Sequence, residues 1–414
     1  MDETSLRELL ERALVPEPPM GPVADDSLRA GIKLRRRHRM RAAAGGTAAI
    51  AVIAVAIPMV TGALGGTAVR RTGTGQAETV YVIHNGAPFV TPISTITNMP
   101  GKPARVAGGT TAIAITPDAK TVYVADWRAD TVTPIATATN TPGKPIKVGD
   151  TPDWIAITPN GQTAYVANIG SNTVTPITTA TNMPGKPIKA GPHPRMIAIT
   201  PDGKTAYVVN QLDGPGQGTV TPITTATNTP GKPINIGGPP EMIAMTPDGK
   251  TAYVSSGGGT VTPIATATNT PSKPILVGRE PFAIVVTPDG RAAYVANQAG
   301  DAVTPITTAT NTPGTPIRVG RWPQAIAVTP DGKTAYVANL NSDTVTPIAT
   351  ATNRAGKPIR VGNGPYAIAI TRDGKTAYVV NSIEGTVTPI ATATNTPGKP
   401  IKVGRGPFTL VIAP

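Results

Sequence analysis

From residue 78 onward the apolar positions fall into short runs that keep returning. The Tyr-Val pair recurs at Tyr81, Tyr123, Tyr165, Tyr207, Tyr253, Tyr294, Tyr336 and Tyr378, at intervals of 42, 42, 42, 46, 41, 42 and 42 residues. Self-similarity at this period marks stacked supersecondary units, none able to bury its own apolar face alone. One period is legible from Gly320. GRWPQAIAVTP passes from a loop into a nearly all-apolar strand at 325–328. Pro-Asp-Gly-Lys at 330–333 is a tight turn in which Gly accepts the positive φ. TAYVANL is a second strand, Asn-Leu-Asn-Ser-Asp a polar loop, and TVTPIATAT a third, Thr-rich strand. Asn-Arg-Ala-Gly turns again, and KPIRVG is a short fourth strand. Four strands in about 42 residues is the size of a β-propeller blade.

The strand characters predict the layering of this all-β fold. An apolar run such as IAIA is covered on both faces, as the strand nearest a propeller axis would be. Pro, Lys and Arg in the fourth strand (Lys144, Lys147, Lys186, Lys189, Arg360, Lys402) suit an outer edge that must resist pairing with other chains. Apolar first strands start near Ile113, Ile155, Ile197, Ile243, Ile284, Ile326, Ile368 and Leu410, which matches the eight Tyr-Val strands. The first Tyr-Val unit has no first strand before it, and PFTLVIAP at the C-terminus has nothing after it. The two fragments complete one another. The last strand therefore pairs into the Tyr81 unit and closes a ring of eight four-stranded blades; seven is the alternative count. Proline recurs in the third strand at 92, 134, 176, 222, 263, 305, 347 and 389. There the strand is expected to lose one hydrogen bond or to bulge, or the fourth strand pairs only past the proline.

These residues resemble the YVTN β-propeller repeat family. Its strand appears as Tyr-Val-Ala-Asn at 165–168, 294–297 and 336–339, and as Tyr-Val-Val-Asn at 207–210 and 378–381. The order Pro–apolar–TPDGK–YVAN–TVTPI–TATN follows the family over about residues 78–414. The resemblance implies a propeller, seven-bladed as a rule, among surface proteins, binding scaffolds and lactonase-like enzymes. Pro-Ile in the third strand departs from the family pattern. His84, Asp126 and Ser256 stand where the motif has Asn, so those units are expected to lack one local side-chain bond. The Asn itself reads as a turn-former.

The N-terminal segment changes the setting. No charged residue occurs from 42 to 69, and as a helix this stretch would reach about 42 Å, enough to cross a bilayer core of about 30 Å. Six Lys/Arg at 33–41 precede it, and only Arg70 and Arg71 follow closely. This cation asymmetry predicts a cytoplasmic tail at 1–41, an uncleaved transmembrane helix at 42–69, a linker at 70–77 and an exported propeller at 78–414. A cleaved signal peptide is the rival reading and exports the same domain. The cationic run is read as topology plus lipid-headgroup contact through 33–69, not nucleic-acid binding.

Composition narrows the chemistry. Of 414 residues, 44 are Gly and 46 Pro, and aromatics are only 4 %, which suits many short strands and tight turns. Without cysteine there is no disulfide and no thiolate metal site. Only His84 and His193 lie in the propeller, and no nucleophile-elbow, HExxH or phosphate-loop motif occurs. No cofactor or metal is expected. A lactonase-like site would need converging carboxylates, of which Asp150, Asp153 and Glu241 are the available ones. The repeats differ chiefly in two loop sets, strand four to strand one and strand two to strand three. The first set offers Trp154, His193, Arg195, Arg279, Phe282, Arg321, Trp322, Tyr366 and Arg405; the second offers Trp127 and Arg128. Aromatics with Arg on exposed loops favour interfaces. Trp154 and Phe282 could instead plug the channel mouth. The sequence thus reads as a monomeric, membrane-anchored extracellular propeller that binds a protein or cell-envelope polymer. The alternatives are a wall-associated structural module and a lactonase-like hydrolase.

Overall fold

The computed structural model of the chain describes residues 78–211 and 218–413. The tail, membrane helix and linker read at 1–41, 42–69 and 70–77 lie outside these residues. Among the described residues no helix is long and apolar enough to cross a membrane.

Eight antiparallel sheets follow one another, seven built from one repeat each and the first from the two ends of the chain. The second blade shows the plan: strands Thr110–Ile115, Thr121–Asp126 and Thr131–Ala136 pair in order, and two short pieces, Thr141–Pro142 and Ile146–Lys147, pair on the outside. First strands of neighbouring blades touch, so they line the axis, and the fourth strands form the circumference. Buried clusters run from blade to blade. Tyr81, Ile83 and Val90 of the first blade pack with Ile113, Val122 and Ile135 of the second. Ala112 and Tyr123 of the second pack with Ile155 and Val166 of the third. A single blade could not bury these faces, which is why the repeat occurs as an array.

Closure falls where the incomplete ends demanded it. Pro407–Ala413 pairs antiparallel with Thr79–His84, in register from Thr79↔Ala413 to Ile83↔Thr409 and with a one-residue slip before His84↔Pro407. Leu410 and Tyr378 share a core cluster with Val80 and Val82. The ring has eight blades, and the seven-blade alternative is set aside.

The repeated second-strand tyrosines lock this ring. Each second-strand Tyr reaches the TATN turn of the next blade. Tyr207 Oη donates to Asn269 Oδ1 at 2.6 Å and lies 3.3 Å from the Thr266 carbonyl. Tyr378 of the last blade makes the same bond to Asn98 of the first, at 2.7 Å. Asn98, Asn269 and their equivalents have φ between 52° and 57°, a left-handed backbone that Asn tolerates better than most residues. The turn Asn is thus both bend and acceptor.

The third-strand prolines cost less than expected. Tyr123↔Pro134 lies in an unbroken ladder with the second strand. Pro134 turns its nitrogen and carbonyl outward, where Gly143 N–H donates to the carbonyl at 2.7 Å. The missing N–H therefore faces the fourth strand alone, which bows away and divides in two. Pairing occurs on both sides of the proline, Ile135↔Pro142 and Val132↔Ile146, not only past it. Pro323–Val328 is the fully covered run expected, and the other first strands differ from it. Their opening residues are buried, but Ala156 and Ile157, for example, are half-exposed, because eight strands around an axis leave a channel that small side chains do not fill.

The motif Asn also does more than turn. Asn339 Nδ2 donates to the hydroxyls of Thr344 and Thr346 at 3.2 and 2.9 Å. His84 replaces that bond, its Nε2 lying 3.0 Å from Thr91 Oγ1, and burial pushes its pKa down to about 4. Asp126 instead accepts the N–H groups of Arg128 and Ala129 at 2.9 Å, which shapes the loop carrying Trp127. Ser256 Oγ has no partner, so the expected loss of a side-chain bond holds there and not at His84.

Candidate functional site: a ring of bulge residues beneath the loop face

Each first strand opens on the loop face and is at once irregular. In the third blade Pro152 pairs with Asn168 and Trp154 with Ala167, so Asp153 has no opposite number. A β-bulge of this kind re-aims one side chain. The same slip isolates Thr111, Arg195, Glu241, Gln324, Tyr366 and Phe408, and in the sixth blade it falls at Phe282–Ala283. Eight blades thus present eight bulge residues of seven different types.

Their interactions show that they gather at the channel mouth. Arg195 Nε lies 3.6 Å from Asp153 Oδ2, with the side chains only 10 % and 3 % exposed. Arg195 Nη1 also donates to Gln211 Oε1 at 2.7 Å, and Gln211 Nε2 to the Pro240 carbonyl at 3.1 Å. The Trp154 indole donates to the Ile197 carbonyl at 3.0 Å, and Gln298 Nε2 to Gln324 Oε1 at 2.8 Å. Tyr366 stacks against Phe408 with ring centroids 4.9 Å apart. Burial raises the Tyr366 phenol far above its usual range, with Arg195 opposing and Asp153 adding to the shift. Tyr366 belongs to the eighth blade and Arg195 to the fourth. First strands of neighbouring blades touch around the axis, and the bulge residues stand on those strands. Burial pushes the Glu241 carboxyl up to about 7, against the pull of Arg195 and with the help of Glu280. One half of the mouth is ionic and the other aromatic.

This arrangement corrects part of the sequence reading. Trp154, Arg195, Phe282 and Tyr366 were expected on exposed loops, yet all four are buried in first strands. For Arg195, Phe282 and Tyr366 the reason is the bulge, which turns the residue after the strand-opening Pro inward; Trp154 follows the bulge residue Asp153 and is held in by its bond to the Ile197 carbonyl. The sequence carried a signal for it: in Pro-x-(Ala/Met)-Ile the x position varies while its neighbours repeat. His193, Arg279, Arg321, Trp322 and Arg405 do stand on the first loop set, and Trp127 and Arg128 on the second. The Arg128 guanidinium lies 5.1 Å over the Trp127 ring. Both loop sets share one face, since Leu340 N–H donates to the Trp322 carbonyl and Ile169 N–H to that of Thr151. As for a metal, no group of three or more His, Asp or Glu within reach of one ion occurs among the described residues.

One backbone feature singles out the loop face. The residue before the strand-opening Pro is left-handed in six blades. In two it is glycine, Gly364 (φ 70°) and Gly406 (φ 64°). In the others it is Thr151, His193, Glu280 or Trp322, with φ from 44° to 56°. Such a conformation costs a side-chain-bearing residue about 1–2 kcal/mol. The preceding blade holds it in place: Asp301 accepts the Trp322 N–H at 2.8 Å, and Asn172 that of His193 at 2.8 Å.

Comparison with known proteins agrees with the fold. The family described as "Lactonase, 7-bladed beta-propeller" matches residues 179–357. Over that span, less than half of the 414 residues, the chain is similar to that family, and its fold is a β-propeller. Its eight blades are one more than that family's description gives. No curated protein sequence matches. Among solved structures, hydrazine synthase of Kuenenia stuttgartiensis is similar at 25 % identity and TM-score 0.57, over 66 % of this chain and 92 % of that one. The dihydro-heme d1 dehydrogenase NirN, in complex with DHE, is 16 % identical with TM-score 0.69, over 82 % and 76 %. Apo AztD from Citrobacter koseri is 13 % identical with TM-score 0.64, over 81 % and 98 %. The last two likenesses concern the fold alone.

Proposed function

We propose that this lactonase/YVTN-like propeller is a membrane-anchored extracytoplasmic binding module that engages a protein or envelope polymer through its loop face. The observation that carries this reading is the strained backbone under Trp322, His193 and Glu280. The same position is glycine in two sister blades, so the fold has an unstrained solution available. Keeping a bulky side chain in a disfavoured conformation points to what that side chain does on the surface. Beneath it, the packed Trp154, Tyr366 and Phe408 and the Asp153–Arg195 pair fill the mouth. That leaves the surrounding aromatic and Arg side chains as the contact surface. The anchor and the outward orientation are carried by the uncharged 42–69 stretch and its cationic flank.

Crosslinking in whole cells, followed by recovery of the propeller, tests the reading. Trp127→Ala with Trp322→Ala should sharply lower the yield of the captured partner. Trp322→Gly separates function from folding: it relaxes the backbone and so keeps or raises stability, yet it should still lose capture. Equal recovery by wild type and both variants would remove the loop face as the binding surface.

A further inference from the structure

Charge is sorted by position in the blade. The fourth-strand segments (99–106, 141–148, 183–190, 229–236, 270–277, 312–319, 354–361 and 396–403) hold 14 Lys/Arg and no Asp or Glu. All 14 are exposed on the circumference. Elsewhere the propeller mixes both signs. The Lys or Arg that closes a turn between strands one and two sits beside an Asp two residues earlier: Lys204–Asp202 at 3.8 Å, Lys333–Asp331 at 3.9 Å, Lys375–Asp373 at 3.4 Å. On the circumference only Lys147 has such a partner among the described ion pairs, Asp130 at 3.3 Å.

Guarding an edge strand explains one charge per blade, but not its sign. Glu would block strand addition as well as Lys does. Nor does it explain the distribution. The seventh, eighth, first, second and third blades carry two or three cations each. The fourth, fifth and sixth carry one each, with Asn235, Leu276 and Thr315 in the vacated positions. Because Pro407–Ala413 joins the eighth blade to the first, the five richer blades are contiguous. Outer strands touch at the seventh–eighth, first–second and second–third junctions, and the closing strand carries the arc across the eighth–first seam. A one-signed arc raises the local potential and concentrates counter-ions that a polyanion would displace.

We infer that this arc is a binding track for a flexible linear polyanion, a chain bearing phosphate or carboxylate groups at regular intervals. Flexibility is required because the track curves around a single domain. Duplex DNA, with a persistence length of about 50 nm, does not follow such a curve without a bending cost. The track is separate from the loop face, so Trp322→Gly leaves it intact.

The test uses the full chain with long-chain polyphosphate and, separately, a polyuronate. Whichever of the two binds identifies the group recognised, and binding of neither overturns the inference. One variant carries Lys144→Ser, Lys147→Ser, Lys399→Ser and Lys402→Ser. A second, of equal net charge, carries Lys204→Ser, Lys250→Ser, Lys333→Ser and Lys375→Ser. The arc variant should lose at least about tenfold in affinity, and its salt dependence on a log-log plot should flatten by about 3. The turn variant should lose less than about threefold. Equal losses would reduce the effect to net charge and overturn the track. So would inorganic phosphate displacing the polymer at the same concentration of phosphate groups, or anionic vesicles or duplex DNA binding as tightly as the flexible chain.

Discussion

Removing one hydroxyl at the seam tests closure directly. In Tyr378→Phe the phenol that bonds Asn98 across the junction of last and first blades is lost; Tyr207→Phe removes the equivalent bond to Asn269 inside the array. Both tyrosines are almost fully buried, while the accepting Asn side chains are exposed. Water can therefore resolvate the acceptor, and the cost should be near the ordinary net value of a neutral hydrogen bond, about 1 kcal/mol. With a urea m-value of about 3 kcal/mol/M for a domain this large, that is a midpoint shift of about 0.3 M. Asn98→Gly and Asn269→Gly keep the left-handed turn and remove only the acceptor, so each double-mutant cycle should return a coupling of about 0.5–1.5 kcal/mol. Urea unfolding followed by tryptophan fluorescence gives all the midpoints. In a closed ring the seam pair and the internal pair behave alike. If Tyr378→Phe matched wild type while Tyr207→Phe lost stability, the ends would not meet in solution and the reasoning would fail.

Deleting residues 405–414 should lower the melting temperature by at least about 10 °C, because Leu410 and Phe408 leave the core and the Thr79–His84 edge is bared; an unchanged calorimetric melt would contradict the shared blade. Glu241 and His84 titrate in opposite senses. Glu241 has a folded pKa near 7, above its ordinary 4.5, so its contribution is present at low pH and is lost as pH rises toward 7, by up to about 3 kcal/mol. His84 has a folded pKa near 4, so its contribution is present above about 6.5 and is lost as pH falls toward 4. Glu241→Gln should therefore leave a stability that climbs from pH 4 to 6.5 and then levels, in a series of denaturation curves; a slope identical to wild type would remove Glu241 from the mouth's electrostatics. Ala119→Gly should stabilise by about 0.5–1 kcal/mol in the same assay, since Ala119 holds φ 59° where sister turns use Gly, and a loss of stability would refute that account.

The sequence alone determined the repeat, the four-strand blade, the eightfold count and the closing partner of the C-terminal strand. Each depends on periodicity or on an incomplete unit, and both are properties of order along a chain. It also marked the outer strand by Pro and Lys, and the tight turn by Asp-Gly. Only the tertiary structure decided where the chemistry stands. The direction in which Pro134 faces, the reach of Tyr207 to a turn 62 residues away, and the inward swing of Asp153, Arg195, Glu241 and Tyr366 all depend on neighbours in other blades. A bulge is one residue of slip between two strands, invisible in either strand by itself. Residues 42 positions apart become companions at the axis only when the ring shuts, and at that point buried loop candidates separate from exposed ones.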